Sequence, residues 1–308
     1  MDVAQAIDFN PASLITLNII MAGMMFAVSL NLKPEDFSRV LKAPVAPLAG
    51  LAAQFLLLPA TTCLFTWWLR VDPELALGMI LVASCPGGSF SNIMTWLGKA
   101  NVAVSVSMTA VSSLVATVLT PLNFALYGYL NPHTRELLTR IDLPATSLLG
   151  LVVLVLGVPL VAGMLTGHRF PGFARRSERP FRVVALMVFL GFVVIAFSRN
   201  SELFVERFHT FFWLVVAHNL LALGLGYLMG RLARLPLADR RAVIMEVGIQ
   251  NSGLGLVIIF TFFPQAGGMM LITAFWGVWH LVAGLSLALL WSRTPQPPPL
   301  QEITGKPL

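Results

Sequence analysis

Apolar runs of about 20 residues, the length that crosses ~30 Å of hydrocarbon, recur along the chain. They predict nine membrane helices: Ser13–Asn31, Val45–Leu69, Leu75–Leu97, Val102–Leu130, Pro144–Thr166, Val183–Ser198, Thr210–Gly230, Ala242–Phe263 and Gly267–Ser292. Two runs are interrupted. The third contains Ser84-Cys85-Pro86-Gly87-Gly88-Ser89-Phe90-Ser91-Asn92, where Pro86 cannot continue a helical ladder and two glycines permit an unwound turn. The eighth contains Met245-Glu246-Val247-Gly248-Ile249-Gln250-Asn251-Ser252-Gly253, with two glycines beside a carboxylate, two amides and a hydroxyl. A charge at that depth costs at least ~2.5–3.5 kcal/mol on insertion scales, so it faces a cavity or an ion.

Composition agrees. The 308 residues are 57% hydrophobic and 11% charged, less than half the charge usual in a water-soluble domain, with mean hydropathy +0.81. The predicted class is an all-α polytopic membrane protein. A pI near 9.9 could suggest nucleic acid, but the basic residues fall in loops. Fifteen of the 20 Lys and Arg lie on one side of the predicted spans and five on the other. By the positive-inside rule the N-terminus is outside and the C-terminus in the cytoplasm, as in a multi-pass protein of the cell (inner) membrane. The arginine-rich loop from His168 to Arg182 reads as a topological anchor. Residues 293–308 are Pro-rich and read as a disordered cytoplasmic tail. The first twelve residues lack a basic n-region, so the first span is expected to be retained. Cys63 and Cys85 fall inside apolar runs and read as packed thiols.

The broken third and eighth spans are traversed in opposite directions. Paired interruptions of this kind point to an inverted-repeat secondary transporter with a midplane site. Half-helix N-termini suit an anion, while unwound carbonyls and Glu246 suit a hard cation. That combination predicts a cation-coupled importer of organic anions. Proton coupling, with Glu246 as relay, and an efflux carrier for organic anions or oxyanions are the alternatives. No His-Glu-x-x-His, Gly-Asp protease pair or Ser/His/Asp set at shared depth is present, so an enzyme is not expected. The lone His218 and His280 read as packing residues. No obligate protein partner is evident.

The motifs carry a resemblance. LKPEDF near Leu32–Phe37, Gln54 within AQF-x3-PA, CPGGSFSN-x-MT at Cys85–Thr95, the His218-Asn219 pair, EVGIQNSG at Glu246–Gly253 and VWH at Val278–His280 resemble the bile acid:sodium symporter family in order over nearly the whole chain. The resemblance implies one transporter domain over 1–308. Its core would comprise about 44–130 and 209–292, as inverted repeats with two crossing discontinuous helices. Its panel would comprise about 13–31 and 144–199. It implies a first sodium site at Ser91, Asn92, Ser105, Thr109 and Glu246. A second would use Gln54, Gln250, Glu246 and the carbonyls of Val247 and Ile249. Substrate, a bile-acid-like, pantoate-like or keto acid, would touch Ser89, Asn251, Ser252 and His280. The chain departs from the family's pattern at Leu281, where an Asn is usual.

Overall fold

The computed structural model describes residues 32–141, 153–199 and 201–293, with positions 19, 22–23, 25–27, 29–30 and 149–150. The Pro-rich tail, most of the predicted first span and the start of the fifth lie outside the described residues. Among the described residues every regular element is helical. Helices α1 (Pro34–Lys42), α2 (Val45–Trp68), α3 (Pro73–Ser84), α4 (Phe90–Leu97), α5 (Val102–Leu130) and α6 (Pro132–Ile141) form the first part. Then come α7 (Val153–Arg169), α8 (Pro171–Arg199), α9 (Ser201–Glu206), α10 (Phe208–Leu232), α11 (Leu237–Gly248), α12 (Ser252–Phe262) and α13 (Gly267–Ser292).

Four of these, α2, α5, α10 and α13, are long and apolar enough to cross a bilayer, or five if the bent pair of α7 and the start of α8 is one span. The two spans expected to be broken are broken, each into a pair of short helices, of which α3 and α12 are apolar while α11 carries the charged residues Asp239, Arg240 and Arg241 near its start. One expectation fails: the arginine-rich segment is not a loop, because α8 runs unbroken from Pro171 to Arg199 with Pro180 inside it. Hydropathy marks where a helix meets water rather than where it ends, and Arg is a good helix former with Pro171 at the favoured first position. The same blindness hides α1 and α6, which are too polar to register as apolar runs.

Polarity is distributed inside out. Large side chains such as Leu56, Leu64, Leu122 and Leu220 stand exposed, while Gln54, Thr62, Ser91, Ser105, Thr109, His218, Asn219, Glu246 and Gln250 are buried. Lipid is as apolar as Leu, so packing alone cannot select the interior, and interhelical polar contacts and small residues do. Gly163 and Gly167 of α7 illustrate the second device. A Cβ at either would collide with the Phe26 or Leu30 carbonyl.

The order of elements recurs. α2 is capped at Leu69 and α10 at Ala233, and each is followed by an arginine of positive φ, Arg70 at 49° and Arg234 at 51°. Each arginine closes a Schellman turn, with Val71 N–H donating to the Thr66 carbonyl and Leu235 N–H to the Gly230 carbonyl, both at 3.0 Å. Helices α3 and α11 follow at the same spacing, and each has 12 residues.

Each broken span also clasps the start of a long helix from the other part of the chain. Glu74, in the first turn of α3, accepts from the Gly268 N–H at the start of α13 at 2.7 Å. Asp239, in the first turn of α11, accepts from Asn101 Nδ2 at the start of α5, also at 2.7 Å, and Asn101 N–H donates to the Ala238 carbonyl at 3.1 Å. Asn101 Oδ1 in turn accepts from the Ala103 and Val104 N–H groups, capping α5. Glu74, at the rim before the apolar stretch begins, borders a cavity of about 400 Å³ with Asp72, His133, Glu136 and Arg207. Burial there pushes its carboxyl above the usual carboxylate range.

Hydrogen bonds to charged groups contribute about 1.5–3 kcal/mol. Asn101→Ala, which removes the partner of Asp239 and the α5 cap together, should therefore lower the melting temperature of the detergent-purified protein. A melting curve superimposable on wild type would show that the clasp carries no stability.

Candidate functional site

Helix α3 ends at Ser84 because Pro86 has no N–H and the glycines after it favour an unwound chain. Helix α11 ends at Gly248, and Ile249 leaves the helical region. Two such ends at membrane depth would leave backbone donors and acceptors without water, which costs several kcal/mol per group. The two breaks satisfy one another. Gly88 N–H donates to the Ile249 carbonyl and Asn251 N–H to the Pro86 carbonyl, both at 2.8 Å, forming an antiparallel bridge centred on Gly87 and Gln250. The two unwound segments run antiparallel to each other at the crossing. Glycine is required sterically: a Cβ at Gly87 would strike the Glu246 carboxylate, and one at Gly88 would stand 2.9 Å from the Gln250 carbonyl oxygen.

The second half-helices, α4 and α12, start at the crossing. Ser89 occupies the N-cap position of α4 and Asn251 that of α12, where Asn251 Oδ1 accepts from Leu254 N–H at 3.1 Å. Ser252 follows, buried. Gly248 ends α11, and Gly253 lies in the first turn of α12. Among the described residues, no hydrogen bond brings His280 to Ser89 or Asn251. It is buried on α13 with its ring packed on Trp276, centroids 5.2 Å apart.

Glu246, fully buried, sits in a cage of oxygens. Ser91 and Ser105 donate to Oε2, the latter at 3.0 Å, and Thr109 donates to Oε1 at 2.7 Å. Asn92 Oδ1 is 2.8 Å from Ser105 Oγ and 3.3 Å from Thr109 Oγ1. Spacing of four places Ser105 and Thr109 on one face of α5. All five side chains expected at the first cation position are therefore together. Ser105 and Thr109 each have one proton but stand near two or more acceptors, and Ser91 gives its proton to the same Oε2 as Ser105, so oxygen lone pairs outnumber the hydrogens available to them. Sequence reasoning missed Thr95, whose hydroxyl reaches Ser105 Oγ at 3.3 Å. Its signal was the spacing of four from Ser91 on α4.

Gln54 lies on a wide π turn, Ala53–Leu57, within α2. Pro59 accounts for it: lacking an N–H, it cannot bond the Phe55 carbonyl, which Asn123 Nδ2 takes instead at 2.8 Å. Gln54 Nε2 reaches Gln250 Oε1 at 3.4 Å, and Gln250 Nε2 donates to the Val247 carbonyl at 2.7 Å. The Ile249 carbonyl is engaged in the bridge. Gln54, Gln250 and the 247–249 turn are thus adjacent.

His218 is a structural residue, as expected. Trp276 Nε1–H can only donate, so His218 Nδ1 accepts at 2.9 Å and Nε2–H faces Thr62 Oγ1 at 2.9 Å. Thr62 passes its own proton to the Leu58 carbonyl at 2.7 Å. Its neighbour Asn219 supports the break directly, with Nδ2 donating to the Gly248 carbonyl at 2.8 Å.

The model of the sodium bile acid symporter family matches residues 18–207 of the chain. The chain belongs to this family. Its relatives extend the match beyond residue 207. The Bacillus subtilis (strain 168) protein named uncharacterized sodium-dependent transporter YocS is 30% identical over 277 residues, 90% of this chain and 83% of that protein. Any stretch of that length includes Glu246. The Arabidopsis thaliana probable sodium/metabolite cotransporter BASS1, chloroplastic, is 30% identical over 92% of this chain and 67% of its own length. The human ileal sodium/bile acid cotransporter is 28% identical over 81% of this chain and 70% of its own. These relatives are transporters, and this family member is a membrane transporter rather than an enzyme.

The bridge predicts slow amide exchange at Gly88 and Asn251 in the wild-type protein. Gly88→Ala should expose both and lower the melting temperature. Unchanged protection, read by hydrogen–deuterium exchange and mass spectrometry, would reject the bridge as the element that holds the crossing.

Proposed function

We propose that this protein is a sodium-coupled symporter that imports an organic anion by alternating access. The observation that carries the reading is the buried Glu246 carboxylate inside a cage of neutral oxygens with too few protons to satisfy them. Oxygen-only ligands with a single negative charge suit a hard monovalent cation. One Na⁺ is held by Ser91, Asn92, Ser105, Thr109 and Glu246. A second lies at Gln54, Gln250, Glu246 and the carbonyls of Val247 and Ile249. The sodium-dependent relatives support the choice of ion.

The anion binds where the half-helix N-termini meet, near Ser89, Asn251 and Ser252, with His280 bordering the site. The positive dipole ends of both half-helices meet there. Bile-acid-like, pantoate-like and keto acids are the substrate classes. The nine-span topology, with N-terminus outside and C-terminus in the cytoplasm of the cell membrane, places α3 and α11 as entering halves of two inverted repeats. The matched caps of α2 and α10 support that arrangement. The core moves against a panel formed by the first, fifth and sixth spans. Two Na⁺ with one monovalent anion carry one net positive charge inward, which gains ~2.3 kcal/mol per 100 mV of membrane potential.

The test is uptake of a labelled anion panel into proteoliposomes under an inward Na⁺ gradient or its K⁺ replacement. Wild type should accumulate its substrate only with Na⁺, and Glu246→Ala should fall to the background of empty liposomes. Uptake that ignores Na⁺ but collapses with the pH gradient would assign the coupling to protons; full uptake by Glu246→Ala would sink the site. Thr109→Val, which keeps shape and removes one oxygen, should raise the Na⁺ concentration for half-maximal uptake about tenfold. An unshifted Na⁺ dependence would remove Thr109 from the ligand set.

A further inference from the structure

Two amides beside the crossing share an unusual property. Asn219 and Gln54 are 1% and 0% exposed, and each spends its NH₂ at the break of the second broken span, Asn219 on the last carbonyl of α11 and Gln54 on Gln250, while its carbonyl oxygen has no hydrogen-bond partner. Leaving a buried acceptor unsatisfied costs about 1–3 kcal/mol, and such groups in folded proteins call for a specific partner. Reversing either amide does not help. The Val247 carbonyl fixes Gln250 with its Nε2 inward, at 2.7 Å, and this turns Gln250 Oε1 toward Gln54. Gln54 must then present Nε2, which leaves its own Oε1 free. The Gly248 carbonyl likewise requires Asn219 to present Nδ2, at 2.8 Å, which leaves Oδ1 free. Two backbone carbonyls of one turn therefore dictate both unpartnered oxygens.

The elements holding these amides are tied together. Asn219 follows His218, whose ring joins α10 to Thr62 of α2, two turns beyond Gln54. Within an amide, nitrogen and oxygen share one small planar group, so an amide whose nitrogen touches the 247–250 turn keeps its oxygen close to that turn. A hydrogen-bond donor would satisfy one such oxygen, whereas a cation accepts several oxygens at once.

We propose that Asn219 is a further cation ligand, supplying Oδ1 to the second sodium ion alongside Gln54 Oε1 while its Nδ2 fixes the Gly248 carbonyl. The inference rests on the sodium-coupled reading above and adds a residue on α10 to a site otherwise built from α2 and the second broken span. Ion binding at that position then fastens three separate spans.

The experiment is Na⁺ titration of the melting temperature of the purified full-length protein, with K⁺ holding ionic strength constant, because a ligand that binds only the folded state stabilises it. Asn219→Leu should shift the Na⁺ concentration for half-maximal stabilisation about tenfold upward and reduce a cooperative response to a single-site one. Asn219→Asp keeps the oxygen and adds a charge, so it should shift the midpoint to lower Na⁺. A purely structural asparagine would lower the melting temperature in K⁺ for both variants and leave the Na⁺ midpoint at the wild-type value, which would overturn the assignment. If the leucine variant does not fold, the direction of the aspartate shift decides alone. A wild-type protein indifferent to Na⁺ over K⁺ overturns the sodium reading itself, and is distinguished from a failure of Asn219 because the variants are scored against a responding wild type.

Discussion

Backbone groups at membrane depth must find partners within the protein, and the crossing of the two broken spans is built around that demand. The pair of hydrogen bonds linking Gly88 to Ile249 and Asn251 to Pro86 resolves it. Without those bonds, two helix ends would be orphaned in a medium with no water to accept them. With them, the chain can open two helices at one place and expose N-termini, carbonyls and side chains to whatever binds there. Gly87 and Gly88 are fixed by this geometry, because the bridge brings one backbone against the Glu246 carboxylate and the Gln250 carbonyl.

Other features follow outward from the crossing. The bridge sets α4 beside α11, so Ser91 can reach Glu246, and α5 adds Ser105 and Thr109 from behind. At their far ends α3 and α11 are held by Glu74 on Gly268 at the start of α13 and by Asp239 on Asn101 at the start of α5. Asn219 secures Gly248 from the side. A pair of short helices that could not stand alone in a bilayer is thereby pinned at both ends. The middle remains the place where an ion or a proton can alter the balance of charge.

Much of this was legible in the sequence, and for identifiable reasons. A proline beside two glycines can only be a break, and Glu246 in an apolar run can only be costly without a partner, so the crossing and its carboxylate stood out. Ser105 and Thr109 were readable from their spacing of four together with the family's motifs. The amphipathic and arginine-rich helices were not, because apolar-run length measures contact with lipid and says nothing of helices that continue into water. The π turn at Gln54 and the orphaned oxygen of Asn219 were also out of reach. Both depend on which neighbour takes a particular carbonyl, Asn123 on Phe55 in one case and Asn219 on Gly248 in the other.

The central claim is that the oxygen cage around Glu246 and the adjoining 247–250 turn hold sodium before any substrate arrives. Equilibrium binding of radiolabelled Na⁺ to the purified, substrate-free protein measures this directly. The predicted result is saturable binding that levels off at two ions per chain and resists competition by excess K⁺. Binding that never saturates, or that K⁺ displaces as readily as Na⁺, would contradict it.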